Sequence, residues 1–296
     1  MDKQKRKKLK TAAKCYAFIG INLIGVLIFW TVPMLFSFII SISKWDFSKG
    51  FKGIKIVGFS NYIEISRDAW FRASLINNIV FTVSYVVILI VLSFIVAYLL
   101  NEYVVGKKFV QLGLYLPYIV NIVAISAVWL ALFSNNGPIL NLLRKLGMSN
   151  PPVFISDLHW ALPTIVMICV WQNMGYTVIL FLSGMINVSK DLYEAAAIDG
   201  ANGLARIWYV TIPMLSGTTF FIVITSVINS FKVFGLINLM THGGPGTATT
   251  MLVYNIYRTA FQFGKLEFAS AQGIVLLAII FFITWLQFRL QKRNEE

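Results

Sequence analysis

The chain has 296 residues, of which 58% are hydrophobic and only 12% charged, with 24 Phe, 12 Tyr, 8 Trp and a net charge of +13. Ordinary soluble domains carry about 25% charged residues, so this composition excludes one and points to a membrane protein. Much of the positive charge lies in "MDKQKRKKLK", directly before the first apolar run. At that position anionic lipid, not nucleic acid, is the expected partner.

A helix crosses a bilayer with about 20 apolar residues at 1.5 Å rise each. After a basic tail at 1–14, charge-free windows at 15–43, 73–101, 109–143, 158–189, 207–231 and 268–288 predict six transmembrane helices. The third and fourth windows are longer than needed, and their helices are expected near 112–133 and 161–186. The first window has no small-residue cleavage site, so it reads as a retained anchor and not a signal peptide. With the N-terminus inside, fourteen Lys and Arg flank the spans on the inner side against eleven on the outer. That excess, led by the first helix, predicts that both termini are cytoplasmic. Residues 15–290 are expected to form a single transmembrane domain, followed by a cytoplasmic tail at 291–296.

Several chemistries are absent. All twelve acids fall at span ends or in loops, whereas an ion-driven carrier normally keeps a carboxylate at membrane depth. His159 and His242 sit in loops predicted to be external, and no His-Glu-x-x-His pattern accompanies them. Cys15 and Cys169 suggest neither a disulfide framework nor a metal site. A phosphate-binding Gly-x-x-x-x-Gly-Lys loop is missing too. The chain is therefore not expected to be an enzyme or to hold a metal or cofactor, and any ATP and Mg belong to partner chains.

Span four contains "WQNMGY". A helix entering near Ala161 brings Gln172 about 11 residues, or roughly 17 Å, into the bilayer. Trp171, Gln172, Asn173 and Tyr176 thus combine amides for sugar hydroxyls with aromatic faces for sugar C–H surfaces. Amides in membrane helices also serve as glue between helices, and both readings stand. In span five, Asn229 and Ser230 are weaker candidates. Lys232, about 19 residues beyond Pro213 and roughly 28 Å along a straight helix, either snorkels to the outer interface or meets an anionic substrate.

Between these spans lies the loop 187–212, with "LYEAAAIDGANGLARIWYVTIP" from Leu192 to Pro213. Ser189 or Asp191 caps a helix start, "EAAA" favours helix and Gly200 stops it. Such a helix either joins two spans or docks on a partner, with alanines permitting close approach and Glu194 and Asp199 available for polar contacts. Farther on, Gly243, Gly244, Pro245 and Gly246 predict a tight turn.

The spacing of Glu194, Ala195, Ala196, three residues, Gly200, nine residues and "VTIP" resembles the Glu-Ala-Ala-x3-Gly-x9-Ile-x-Leu-Pro signature of ABC importer permeases, with Val210 and Ile212 as conservative replacements. "VPMLFSFIISISKWDF", "VGFSNYIEI", "LYLPYIVNIVAISAVWLALF" and "LMTHGGPGTATTMLVYNIYRTAF" resemble the branch that handles maltose, multiple sugars and glycerol 3-phosphate. The likeness spans roughly residues 25–290. The chain lacks the large external insertion of the best-known maltose permease, and Lys232 and Gly235 stand where many relatives carry Gln and Asp. The resemblance implies an all-α polytopic membrane protein of the type I ABC importer permease fold, located in the cell membrane. It implies that Glu194, Ala195, Ala196, Asp199 and Gly200 form a coupling helix for an ATPase, and that Gly243, Gly244 and Pro245 face the binding protein. The implied partners are a second, related permease in a heterodimer, two ATPase subunits and an extracytoplasmic sugar-binding protein. The implied cargo is a carbohydrate, with an anionic solute such as glycerol 3-phosphate as the alternative and a secondary carrier as the more distant one.

Overall fold

The computed structural model describes residue 16 and residues 18–104 and 106–295, without the side chains of Phe47 and residues 292–295. The basic tail and Cys15 lie outside the described residues. Within them the chain is mostly helical and divides into two compact units, one from residues up to 67 with 256–275, the other from 68–255 with 276 onward.

The first unit opens with α1 (Phe18–Ser41), whose apolar side chains are almost all exposed, as suits a helix facing lipid. A short antiparallel hairpin follows, β1 (Ser43–Trp45) against β2 (Ile54–Ile56), with Ser43 opposite Ile56. Asp46 shapes the hairpin loop by accepting from the Ser48 amide and hydroxyl and pairing with Lys49 at 2.9 Å. These contacts, the Ser48 hydroxyl first, hold its carboxyl below the ordinary value of 3.8. α2 (Ser60–Arg67) is fastened by buried Asn61, whose amide donates to the Ser41 and Ser43 carbonyls at 2.8 Å each.

The second unit is organised on two long helices, α3 (Ala69–Tyr103) and α7 (Ala161–Ile186). Asp68 starts α3 by accepting from the Phe71 amide at 2.7 Å. Two apolar clusters hold the unit together, one around Phe81, Leu89, Ile165 and Ile237, the other around Ala97, Val178, Phe181 and Ile222. Between the long helices come α4 (Lys107–Ile119), α5 (Ile122–Leu132) and α6 (Pro138–Lys145). After α7 come α8 (Lys190–Ile198), α9 (Gly203–Met214) and α10 (Ser216–Ser230). The last helices, α11 (Leu252–Tyr257) and α12 (Leu266–Glu295), contribute residues to each unit.

Among the described residues four helices, α1, α3, α7 and α12, are long and apolar enough to cross a membrane singly. The third and fifth windows behave differently from the straight helices expected of them. α4 and α5 meet at a 95° bend, so the helix expected over 112–133 is two helices. Pro117 removes a backbone donor near the end of α4, and Asn121 restarts the chain by accepting from the Val123 amide at 2.8 Å. α9 and α10 meet at 67° beside Pro213, where Leu215 leaves helical geometry. α10 then ends at Ser230, so Lys232 lies beyond its end and the straight-helix rise from Pro213 does not apply.

Candidate functional site

α7, α10 and the turn after α10 border an open cavity of about 190 Å³. Gln172 and Asn173 reach it from α7, Asn229 from α10 and Lys232 from the turn, with Tyr85 of α3 and Cys169 behind them. Tyr85, Asn173 and Asn229 also line an adjoining recess with Tyr118, Tyr176 and Thr225. Polar groups and aromatic faces therefore converge from four helices.

The polar groups differ in how far they are already used. Asn173 donates its amide to the Cys169 carbonyl at 2.8 Å, one helical turn back. Gln172, Asn229 and the Lys232 ammonium have no side-chain hydrogen-bond partner among the described residues. Tyr176 stacks on Tyr118 with ring centres 4.8 Å apart and planes 10° from parallel. Gly175 makes that stack possible, because a Cβ there would lie 1.9 Å from the Leu114 carbonyl oxygen of α4. The backbones of α4 and α7 touch at this point.

Two candidates from the sequence point elsewhere. Trp171 is directed away from Gln172, onto a separate apolar groove beside Val80, Ile88 and Met167, and packs edge-on against Trp129 at 5.5 Å. Adjacent helical residues differ by about 100° in direction, so Trp171 and Gln172 do not share a face. Ser230 is buried against α3, bonded to the Thr82 hydroxyl at 2.7 Å and the Val227 carbonyl at 2.6 Å. It joins helices and does not line the cavity. Tyr85, Tyr118 and Thr225 escaped the sequence reading; "LYLPYIV" carries Tyr118, but its bend at Val120 and Asn121 was the missing clue.

The segment from Gly243 to Gly246 is a tightly bonded loop. Gly243 has φ 79° and Gly246 φ 57°, conformations that glycine adopts without cost. Thr249 donates to the Gly244 carbonyl at 2.7 Å and Thr250 to that of Gly243 at 2.8 Å. Two neighbouring asparagines of α3 hold the loop from outside. Asn77 donates to the Thr247 and Thr250 carbonyls at 2.7 and 3.1 Å, and buried Asn78 accepts from the Leu252 amide at 2.9 Å. These partners lie some 170 residues away in sequence, so no local pattern announced them.

α8 runs from Lys190 to Ile198 after Ser189, whose hydroxyl accepts from the Asp191 amide at 3.3 Å. Asp199 caps its end and Gly200 follows with φ 80°. Glu194, Ala195 and Asp199 are exposed and Ala196 is half-buried, while Tyr193 anchors the helix inward, its hydroxyl 3.2 Å from that of Thr211. Ile198 is 87% and Tyr209 82% exposed, with Leu204 and Trp208 also open. Among the described residues no cluster of His, Cys, Asp and Glu could hold a metal.

Several apolar helices, a polar and aromatic cavity among them and a small capped helix on an open surface fit a membrane transport subunit. The chain belongs to the family of binding-protein-dependent transport system inner membrane components, whose model matches residues 90–296. It is 32% identical over 242 residues to the sn-glycerol-3-phosphate transport system permease protein of Yersinia pestis bv. Antiqua, covering 81% of each chain. It is 31% identical over 272 residues to the protein of that description from Rhizobium meliloti, covering 91% of this chain and 90% of that one. Among solved structures it matches a bacterial ABC transporter involved in the import of the acidic polysaccharide alginate, with a TM-score of 0.86 at 22% identity over 99% of this chain and 100% of the other. The fold is thus that of an ABC importer permease, and the protein is a multi-pass inner-membrane protein.

Proposed function

We propose that this chain is the membrane-spanning permease subunit of an ATP-driven importer for a sugar-type solute, coupled to its ATPases through α8. The observation that carries this reading is the exposed Glu-Ala-Ala helix, capped at both ends and open on one face, set in the loop 187–212. The charge distribution favours an arrangement in which both bent helix pairs count as spans, giving six, with both termini and α8 on the cytoplasmic side.

In this account the chain catalyses no chemistry. Two partner ATPase subunits bind ATP and Mg, and their closure moves α8 as a lever through Glu194, Ala195, Ala196, Asp199 and Gly200. The attached helices α7 and α9 carry the motion to the cavity, which opens outward and then resets after hydrolysis. A second, related permease completes the cavity. Asn229 and Lys232, exposed in this chain alone, are available to a substrate held between the two. The Gly243 to Pro245 loop, rigid through its own bonds and Asn77, receives an external binding protein. One solved relative of this fold is a complex with an alginate pentasaccharide-bound periplasmic protein, which supports such a partner here.

The cargo class rests on the cavity and the relatives together. Amides from α7 and α10 beside tyrosine faces suit a polyhydroxylated molecule. The named substrates of the relatives, glycerol 3-phosphate and alginate, are of that chemical kind. The test is uptake by proteoliposomes holding the permease pair, ATPases and binding protein, across oligosaccharides, uronides and glycerol 3-phosphate. The expected result is uptake of a sugar-type solute that requires ATP and the binding protein. Uptake that persists without the ATPases would show a secondary carrier instead.

A further inference from the structure

Lys232 stands in the cavity with no acid to balance it. The lining around it is Gln172, Asn173, Asn229, Tyr85, Cys169 and the apolar segment from Val233 to Leu236, and no Asp or Glu contributes to the cavity or to the adjoining recess. Its ammonium finds no partner among the described residues, and neither do the side-chain amides of Gln172 and Asn229. The backbone around it is fixed, since the Lys232 amide donates to the Asn229 carbonyl at 3.0 Å and Phe231 is buried at 2% exposure. A helix end accounts for a cation in general terms, because the C-terminus of α10 carries partial negative charge. It does not account for two open amides around the same space.

From this arrangement we infer that Lys232, flanked by Gln172 and Asn229, is an anion-receiving subsite of the translocation cavity, selecting solutes that bear a carboxylate or phosphate. The ammonium supplies the charge, the two amides donate to the remaining anionic oxygens, and the tyrosines of the recess face the uncharged part of the solute. A hydrogen bond between an ammonium and an anion is among the stronger polar contacts. This inference rests on the permease reading above.

The test uses the complete complex in proteoliposomes with wild type, Lys232→Gln and Lys232→Arg. The probes are sn-glycerol 3-phosphate and a digalacturonate, each beside its neutral counterpart, glycerol and a digalactoside. The subsite predicts that wild type carries an acidic probe, that Lys232→Gln lowers this uptake about tenfold or more, and that Lys232→Arg restores most of it. Uptake of a neutral probe, where present, should change little. Transport of neutral probes alone by wild type would overturn the subsite and leave the permease reading standing. Equal loss of acidic and neutral uptake in Lys232→Gln would also overturn it, as would failure of that variant to assemble while Lys232→Arg assembles. Either would assign the charge to structure or to pairing with the second permease. ATP-dependent uptake of none of these probes would overturn the subsite, while uptake of another oligosaccharide in the wider screen above would leave the permease reading standing.

Discussion

Replacing Gly175 by alanine tests whether the cavity depends on the close approach of α4 and α7. The added Cβ would sit 1.9 Å from the Leu114 carbonyl oxygen, 2.3 Å from its carbon and 2.7 Å from the Tyr115 nitrogen, where ordinary contact begins at 3.4 Å. All three neighbours are backbone, so no side chain can rotate aside and α4 must retreat as a body. Overpacking of this kind costs about 1–3 kcal/mol. The retreat also carries Tyr118 away from Tyr176, whose rings now stack at 4.8 Å. The expected result is a lower unfolding temperature for the purified permease and reduced uptake in the reconstituted complex. Gly113→Ala is the control: it lies in α4 with nothing within 4 Å of its added Cβ, and helix propensity alone favours it by roughly 0.5–1 kcal/mol. A Gly175→Ala protein that melts and transports like wild type would refute the argument from close packing.

Two further predictions concern the loops. Asn78→Leu removes the acceptor of the buried Leu252 amide, and an unpaired buried donor costs roughly 1–3 kcal/mol; the variant should unfold at lower temperature and exchange the Leu252 amide proton faster, and unchanged exchange would count against the clamp. The Asp46 carboxyl, held below 3.8 by the Ser48 hydroxyl and then Lys49, stabilises its loop above that value and loses the effect as pH falls through the depressed folded value. Hydrogen exchange at the Ser48 amide should therefore accelerate as pH falls below 3.8, after correction for intrinsic rates, and Asp46→Asn should abolish that extra acceleration.

Features set by local chemistry were legible in the sequence. α8 needed only Ser189 to cap it, a run of alanines and Gly200 to stop it, and its bounds follow from those residues. α7 begins at Ala161 and ends at Ile186 as the apolar window indicated. The features that eluded the sequence depend on direction or on distant partners. A charge-free window measures apolar length but not straightness, so the bends after Ile119 and at Leu215 stayed hidden despite Pro117 and Pro213. Proximity to Gln172 did not bring Trp171 into the polar cavity, and proximity to Asn229 did not bring Ser230. The residues that Asn77 and Asn78 hold are too remote along the chain for any periodicity to reveal.

The most direct test of the central claim is ATP-driven uptake by the reconstituted complex with Glu194→Lys beside wild type, at equal assembly of all subunits. Glu194 is exposed on α8, so the substitution should leave the permease folded. The account predicts that uptake is lost in the variant while the complex remains assembled. Wild-type uptake in that variant would show that α8 does not carry the coupling.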